Sequence, residues 1–140
     1  METIICSTGG ESRGNPGAAA IAVFVSDKDG KMIEEVAQGI GNANSNFAAY
    51  YAVMLGLQTL ESRYSEQTKT IQFELRLDNE FVANQLNSKE PVTEPGLVPM
   101  FIEIHNIRVK SFPNLVLTLI PKTRNTDVSR LLVEVLDDKQ

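Results

Sequence analysis

The residues that could take part in chemistry are few and stand where apolar segments end. Asp78 follows the strictly alternating segment 70–77 and is predicted to end a strand. The stretch Gly9–Gly17 combines glycine, proline and asparagine, so it would expose backbone N–H groups and an Asn amide at the end of the sheet. His105, the single histidine, falls in an apolar helical pattern and is predicted to be an ordinary, partly exposed helix residue. Local chemistry alone leaves Gly9–Gly17 open between a plain β-turn and a ligand-contacting loop.

Composition limits the class of protein. A chain of 140 residues, 42% apolar and 22% charged, predicts a single domain over 1–140. The one cysteine, Cys6, lies in an apolar strand, which excludes a disulfide framework and favours a reducing compartment. No apolar run reaches the ~20 residues of a membrane span. We therefore expect a cytoplasmic protein without a membrane partner. The net charge of −5 argues against tight, non-specific binding of nucleic acid.

The elements that would position these residues follow from hydrophobic periodicity. The predicted strands are residues 3–9, 17–26, 31–40, 70–77 and 115–120. The predicted helices are 46–62, 79–86, one beginning near Leu97, and one over 128–136. The first three strands are expected to be antiparallel, and the last two to run parallel to one another or to the first. The predicted fold class is α/β, a five-stranded mixed sheet with helices on both faces.

Four short motifs in this order resemble the type 1 ribonuclease H family in its short bacterial and archaeal form. They are Ser12–Gly17, Asn46–Tyr50 with Gly56 and Leu57, Leu77–Asn79 with Val82, Gln85 and Leu86, and Ile120–Lys122 with Asn125 and Leu131. The resemblance covers almost the whole chain. It implies a ribonuclease H-like fold and, for the family, cleavage of the RNA strand of RNA·DNA hybrids with two divalent metals.

The resemblance also implies that most of the family's metal-binding carboxylates are replaced. The four family positions fall on Gly9, Ala49, Asp78 and Ser129, and only Asp78 carries a carboxylate. Two Mg²⁺ ions about 3.5–4 Å apart need several converging carboxylates to hold them. We therefore expect no metal site, with Asp78 as a ligand at most, and no cofactor.

Nearby acids offer a different hypothesis. Glu80 and Asp127 lie two positions from Asp78 and Ser129, a step that turns a helical side chain roughly 200° away. Glu11 lies two positions after Gly9 and could reach inward. An active hybrid ribonuclease rearranged around Asp78, which would use Mg²⁺ or Mn²⁺, is thus the first alternative.

Substrate contact is separate from cleavage. The resemblance implies that Arg13, Gly14, Asn15 and Asn46 contact the minor groove of a hybrid, where shape and 2′-hydroxyls are read. An equally open interpretation is that Asn15 and Asn46 only brace backbone turns. The predicted function is a ribonuclease H-like domain without cleavage that binds an RNA·DNA hybrid or RNA weakly. A protein-interaction or structural module is the second alternative, and the sequence predicts no oligomeric state.

Overall fold

The computed structural model describes residues 2–138, which form one five-stranded sheet, four α-helices and two 3-10 turns. The strands are β1 (Thr3–Gly14), β2 (Gly17–Asp27), β3 (Met32–Ala43), β4 (Gln72–Leu77) and β5 (Leu115–Leu119). The helices are α1 (Ser45–Tyr64), α2 (Glu80–Leu86), α3 (Val98–Ser111) and α4 (Thr126–Asp137), and the 3-10 turns are Ser65–Lys69 and Lys122–Arg124. None of the helices within 2–138 is long and apolar enough to cross a bilayer.

The sheet has the predicted mixed topology. Its strand order is β3-β2-β1-β4-β5, with β1 to β3 antiparallel and β4 parallel to both β1 and β5. β2 is buried along nearly its whole length, as expected for an apolar strand between two neighbours. β4 ends one residue after its last pair with β1, Ser7↔Arg76, whereas β1 runs on. The carboxyl end of a parallel strand is where open α/β sheets bind ligands.

Helices cover both faces of the sheet, as predicted. On one face, α1 packs on β1 and forms the larger core around Tyr50, Leu57 and Phe73. On the other face, α4 packs on Ala20, Ala22 and Phe24 through a regular apolar stripe. α4 leaves β4 and β5 uncovered on its own face, where Val116 remains half exposed.

The first strand is longer than the sequence predicts. We expected it to end at residue 9 and a turn to fill Gly9–Gly17, but β1 continues to Gly14 and pairs with β2 from Gly9↔Ala22 to Gly14↔Gly17. The turn is only Asn15 and Pro16. The prediction was wrong because glycines were interpreted as loop residues, whereas here they allow close packing against the strand. A Cβ on Gly10 would overlap the Ala48 carbonyl of α1, so only glycine lets that helix approach.

Candidate active site and nucleic-acid interface

The four positions that the resemblance assigned to carboxylates do converge in the structure. Register pairs Ser7 with Arg76, so Gly9 and Asp78 lie level, two residues further along the adjacent parallel strands. α4 packs on Gly9 through Val128, the residue before Ser129, and the Ser129 N–H bonds to Asn125, whose side chain binds Asp78. Ala49 adjoins the strand through the close contact between α1 and Gly10. The fold thus brings together the four positions that the resemblance assigned, from β1, the end of β4, α1 and α4, and Asp78 is the one carboxylate among them.

Apolar packing fills the place where a side chain would leave Gly9. A Cβ built there would lie 2.5 Å from Cγ1 of Val128, and 3.6 Å from both Nδ2 of Asn125 and Cδ1 of Leu132. Val128 is fully buried, so any shift of its side chain has to be taken up by packed neighbours. A carboxylate at this position would need Val128 to be displaced or replaced.

Ala49 is likewise part of the core. It is 4% exposed, and the next residue, Tyr50, is fully buried with its hydroxyl donating to Oε1 of Gln85. Burial, with a smaller effect of the Glu94 charge, raises the pKa of Tyr50 to about 12. Ala49 itself lies among the buried apolar residues of the larger core, where a charged group would lose its hydration.

Asp78 is held by an amide. Its Oδ2 accepts a hydrogen bond of 2.9 Å from Nδ2 of Asn125, and the same nitrogen donates to the Thr8 carbonyl at 3.0 Å. Asn125 is 2% exposed and ties β1, β4 and the start of α4 together. Ser129 is half-buried and its backbone N–H donates to the Asn125 carbonyl at 2.9 Å.

The donor set does not fit two divalent cations. One carboxylate, one hydroxyl, one methyl group and a bare glycine occupy the four positions, so most of the charge of two ions would be uncompensated. Glu11 lies beside Lys122, with Oε1 3.6 Å from its Nζ. Within residues 2–138, no group of three or more His, Cys, Asp or Glu side chains is arranged to hold a metal.

The residues predicted to contact nucleic acid lie along the ends of β1 and α1. Gly14 has a φ of +119°, which a side chain would strain, and it precedes the Asn15–Pro16 turn. Oδ1 of Asn15 accepts the Ser45 N–H at 3.0 Å, so this turn is fastened to the start of α1. Arg13 points elsewhere: its guanidinium binds Asp137 and the Leu136 carbonyl at the end of α4.

Asn46 joins a network of asparagines that sequence reasoning found only in part. Its Oδ1 accepts from Nδ2 of Asn79 at 2.9 Å, and Oδ1 of Asn79 accepts the Val82 N–H at 3.0 Å as the N-cap of α2. Asn44 caps α1 in the same way. Asparagines directly before helices were the signal for these caps, whereas the link between Asn46 and Asn79 needed the tertiary structure. His105 lies exposed on α3, as predicted.

Comparisons with known proteins agree with this geometry. The family model described as reverse transcriptase-like matches residues 7–132. LC11-RNase H1, isolated from compost by a metagenomic approach and crystallised with an RNA/DNA hybrid, is 33% identical, covers 96% of each chain and superposes with a TM-score of 0.90. RNase H1 of the archaeon Halobacterium salinarum is 28% identical over 97% of this chain and 98% of its own, with a TM-score of 0.87.

The chain also matches part of a longer relative. A bifunctional protein of Mycobacterium tuberculosis is 27% identical over 138 residues, which are 98% of this chain. The chain spans only about a third of that relative's length, 36%. The match over nearly the whole chain, the shared fold and the converging site positions lead to one conclusion: the chain belongs to the reverse transcriptase-like family and has a ribonuclease H-like domain.

Proposed function

We propose that this domain has lost metal-dependent cleavage and serves to bind RNA·DNA hybrids. The observation that carries the proposal is the packing of Val128 against Gly9, 2.5 Å from where a Cβ would stand. A site that had merely lost a carboxylate would leave room beside Gly9. Here α4 occupies that room, and Ala49 is part of the hydrophobic core.

Binding of a hybrid is supported by the groups around the former site. Fewer carboxylates at this edge of the sheet mean less repulsion of phosphates. The amides of Asn46 and Asn79, both half-buried, lie at the start of α1 and α2 next to the Asn15 turn. Amide groups can donate to and accept from 2′-hydroxyls, which mark the RNA strand of a hybrid. LC11-RNase H1, which this chain resembles in fold over nearly its full length, was crystallised with such a hybrid.

The test is binding without metal. Fluorescence anisotropy in EDTA would compare a labelled RNA·DNA duplex, a DNA duplex of the same sequence and an RNA hairpin, at about 50 and about 200 mM salt. We expect a dissociation constant in the range of ~10 µM for the hybrid, weaker binding to the DNA duplex, and a loss of affinity at the higher salt. No binding, or equal and salt-independent binding of all three, would contradict the proposal.

A substitution at Asn46 tests where the hybrid binds. Asn46→Ala should weaken hybrid binding about 3- to 10-fold, because it removes an amide that would face the RNA strand. The matched control is Asn106→Ala, which removes an exposed asparagine on α3. Thermal melting of both variants separates lost contacts from lost folding. Equal hybrid affinities of the two variants would show that the hybrid does not depend on Asn46 for binding.

A further inference from the structure

A polar cleft opens on the face of the sheet that α4 covers only in part. It has a volume of about 290 Å³ and lies between the strands and the start of α4. Its polar lining residues include Ser7, Ser26, Lys28, Arg76, Arg124 and Asp127. We call it the α4 cleft. It includes Asn125 but neither Asn46 nor Asn79, whose amides are proposed to contact a hybrid.

Arg76, which lines the cleft, has a hydrogen-bond donor without an acceptor. Nε of Arg76 is fully buried and has no partner, the one such side-chain atom among residues 2–138. Nη2 of the same guanidinium donates to Oε1 of Glu74 at 3.1 Å. A buried N–H without a partner costs free energy that native proteins rarely accept, so the Arg76 guanidinium has unused hydrogen-bonding capacity beside the cleft.

Two cationic side chains at the cleft lack a carboxylate partner and can pair with an anion, whereas Arg76 is paired with Glu74 at 3.1 Å. Lys28, Arg76 and Arg124 all line it, and in the described part of the chain neither Lys28 nor Arg124 lies within 4.0 Å of a carboxylate. Two carboxylates, Asp29 and Asp127, also border the cleft. Asp127 lies 3.9 Å from the Arg130 guanidinium, which offsets part of its charge.

The start of α4 adds donors of a second kind. Thr126 and Asp127, the first residues of this 12-residue helix, line the cleft. The N-cap residue Asn125 makes no side-chain capping hydrogen bond, since its amide binds Thr8 and Asp78 instead. The first N–H groups of α4 are thus left without a side-chain cap, beside two arginines.

We propose that the α4 cleft binds a phosphate group. Phosphate presents several acceptor oxygens, pairs with arginine through two parallel hydrogen bonds and suits a helix N-terminus. The volume exceeds that of a few water molecules, about 30 Å³ each, so a phosphate and part of an attached nucleoside fit. The group can come from a free nucleotide or from the phosphorylated end of a nucleic acid. Neither source depends on the hybrid surface.

The Nε–H group of Arg76 can be observed directly by NMR in the test. Its Nε–H resonance and the amides of Thr126 and Asp127 would be followed by ¹⁵N NMR during titration with inorganic phosphate, then with adenosine 5′-monophosphate. We expect saturable shifts of these resonances with a dissociation constant of about 1 mM for inorganic phosphate. Acetate at equal ionic strength should produce no such shifts. Absence of shifts with both phosphates, or equal shifts with acetate, would overturn the proposal.

Two further experiments identify the source of the phosphate group and the residues that contact it. Tighter binding of the mononucleotide than of inorganic phosphate indicates a nucleotide, and tighter binding of a 5′-phosphorylated than of a 5′-hydroxyl oligonucleotide indicates a nucleic-acid end. Arg124→Gln should weaken phosphate binding about 5- to 10-fold. Arg63→Gln, which alters an arginine of similar exposure near the far end of α1, should leave it unchanged. An unchanged affinity in Arg124→Gln would contradict the assignment, while intact hybrid binding would leave the proposed function standing.

Discussion

The asparagines around the candidate site and the four positions assigned to carboxylates contribute to the fold in different ways. Asn15, Asn79 and Asn125 each make a hydrogen bond that joins two elements or caps a helix. By contrast, Gly9 and Ala49 are filled or enclosed by apolar neighbours, and Asp78 alone keeps a polar partner. The first set joins strand ends and helices through hydrogen bonds, whereas Gly9 and Ala49 contribute through apolar packing.

The two sets of residues serve two requirements, a stable fold and metal-dependent cleavage, and an active enzyme must meet both. Amide hydrogen bonds set the positions of β1, β4, α1 and α4, so they remain necessary whether or not the domain cleaves RNA. Clustered carboxylates repel one another and are useful only when cations hold them. We infer that a chain which no longer cleaves can replace the acids with small apolar residues and keep its fold.

The largest effect is expected from Asn125→Ala, which tests whether the asparagines stabilise the fold. The side chain is 2% exposed and donates to both Thr8 and Asp78, so its loss leaves a buried carbonyl unpaired and a cavity. We expect the free energy of unfolding to fall by about 2–3 kcal/mol, measured by urea denaturation. Asn106→Ala, on an exposed face of α3, should change it by less than about 0.5 kcal/mol. Equal effects would remove the structural role given to the asparagines.

The packing at Gly9 can be measured with a double-mutant cycle. Gly9→Ala should destabilise the fold by about 1–3 kcal/mol, because its Cβ would meet Val128. Val128→Ala alone should cost about 2 kcal/mol through the cavity it leaves. Together they should cost less than the sum by about 1 kcal/mol or more, since the smaller residue makes room. Additive effects would mean that Val128 does not fill the place of the missing side chain.

The smallest effect is expected at Arg13. Its ion pair with Asp137 is exposed on both sides, so Arg13→Gln should lower the free energy of unfolding by no more than about 0.5 kcal/mol. Hybrid affinity measured on the same sample tests whether Arg13 leaves Asp137 to meet phosphate. A marked loss of stability would place Arg13 with the residues that hold the fold.

Sequence reasoning predicted the topology, because hydrophobic periodicity is a local signal. The four positions assigned to carboxylates came from the family resemblance and not from periodicity. It failed along Gly9–Gly14, where glycine marks close helix packing on a continuous strand rather than a loop. The partnerless Nε of Arg76 and the link between Asn46 and Asn79 could not be predicted. Both depend on contacts between elements that lie far apart in the chain.

If the proposed function is right, this ribonuclease H-like domain does not cleave RNA·DNA hybrids. The most direct measurement incubates the purified protein with a labelled RNA·DNA duplex in Mg²⁺ and in Mn²⁺, beside Asp78→Asn as a control for contaminating nuclease. We predict no cleavage, or equal traces with both proteins. Cleavage by the original chain that disappears in Asp78→Asn would contradict the account and show that the site has been rebuilt around Asp78.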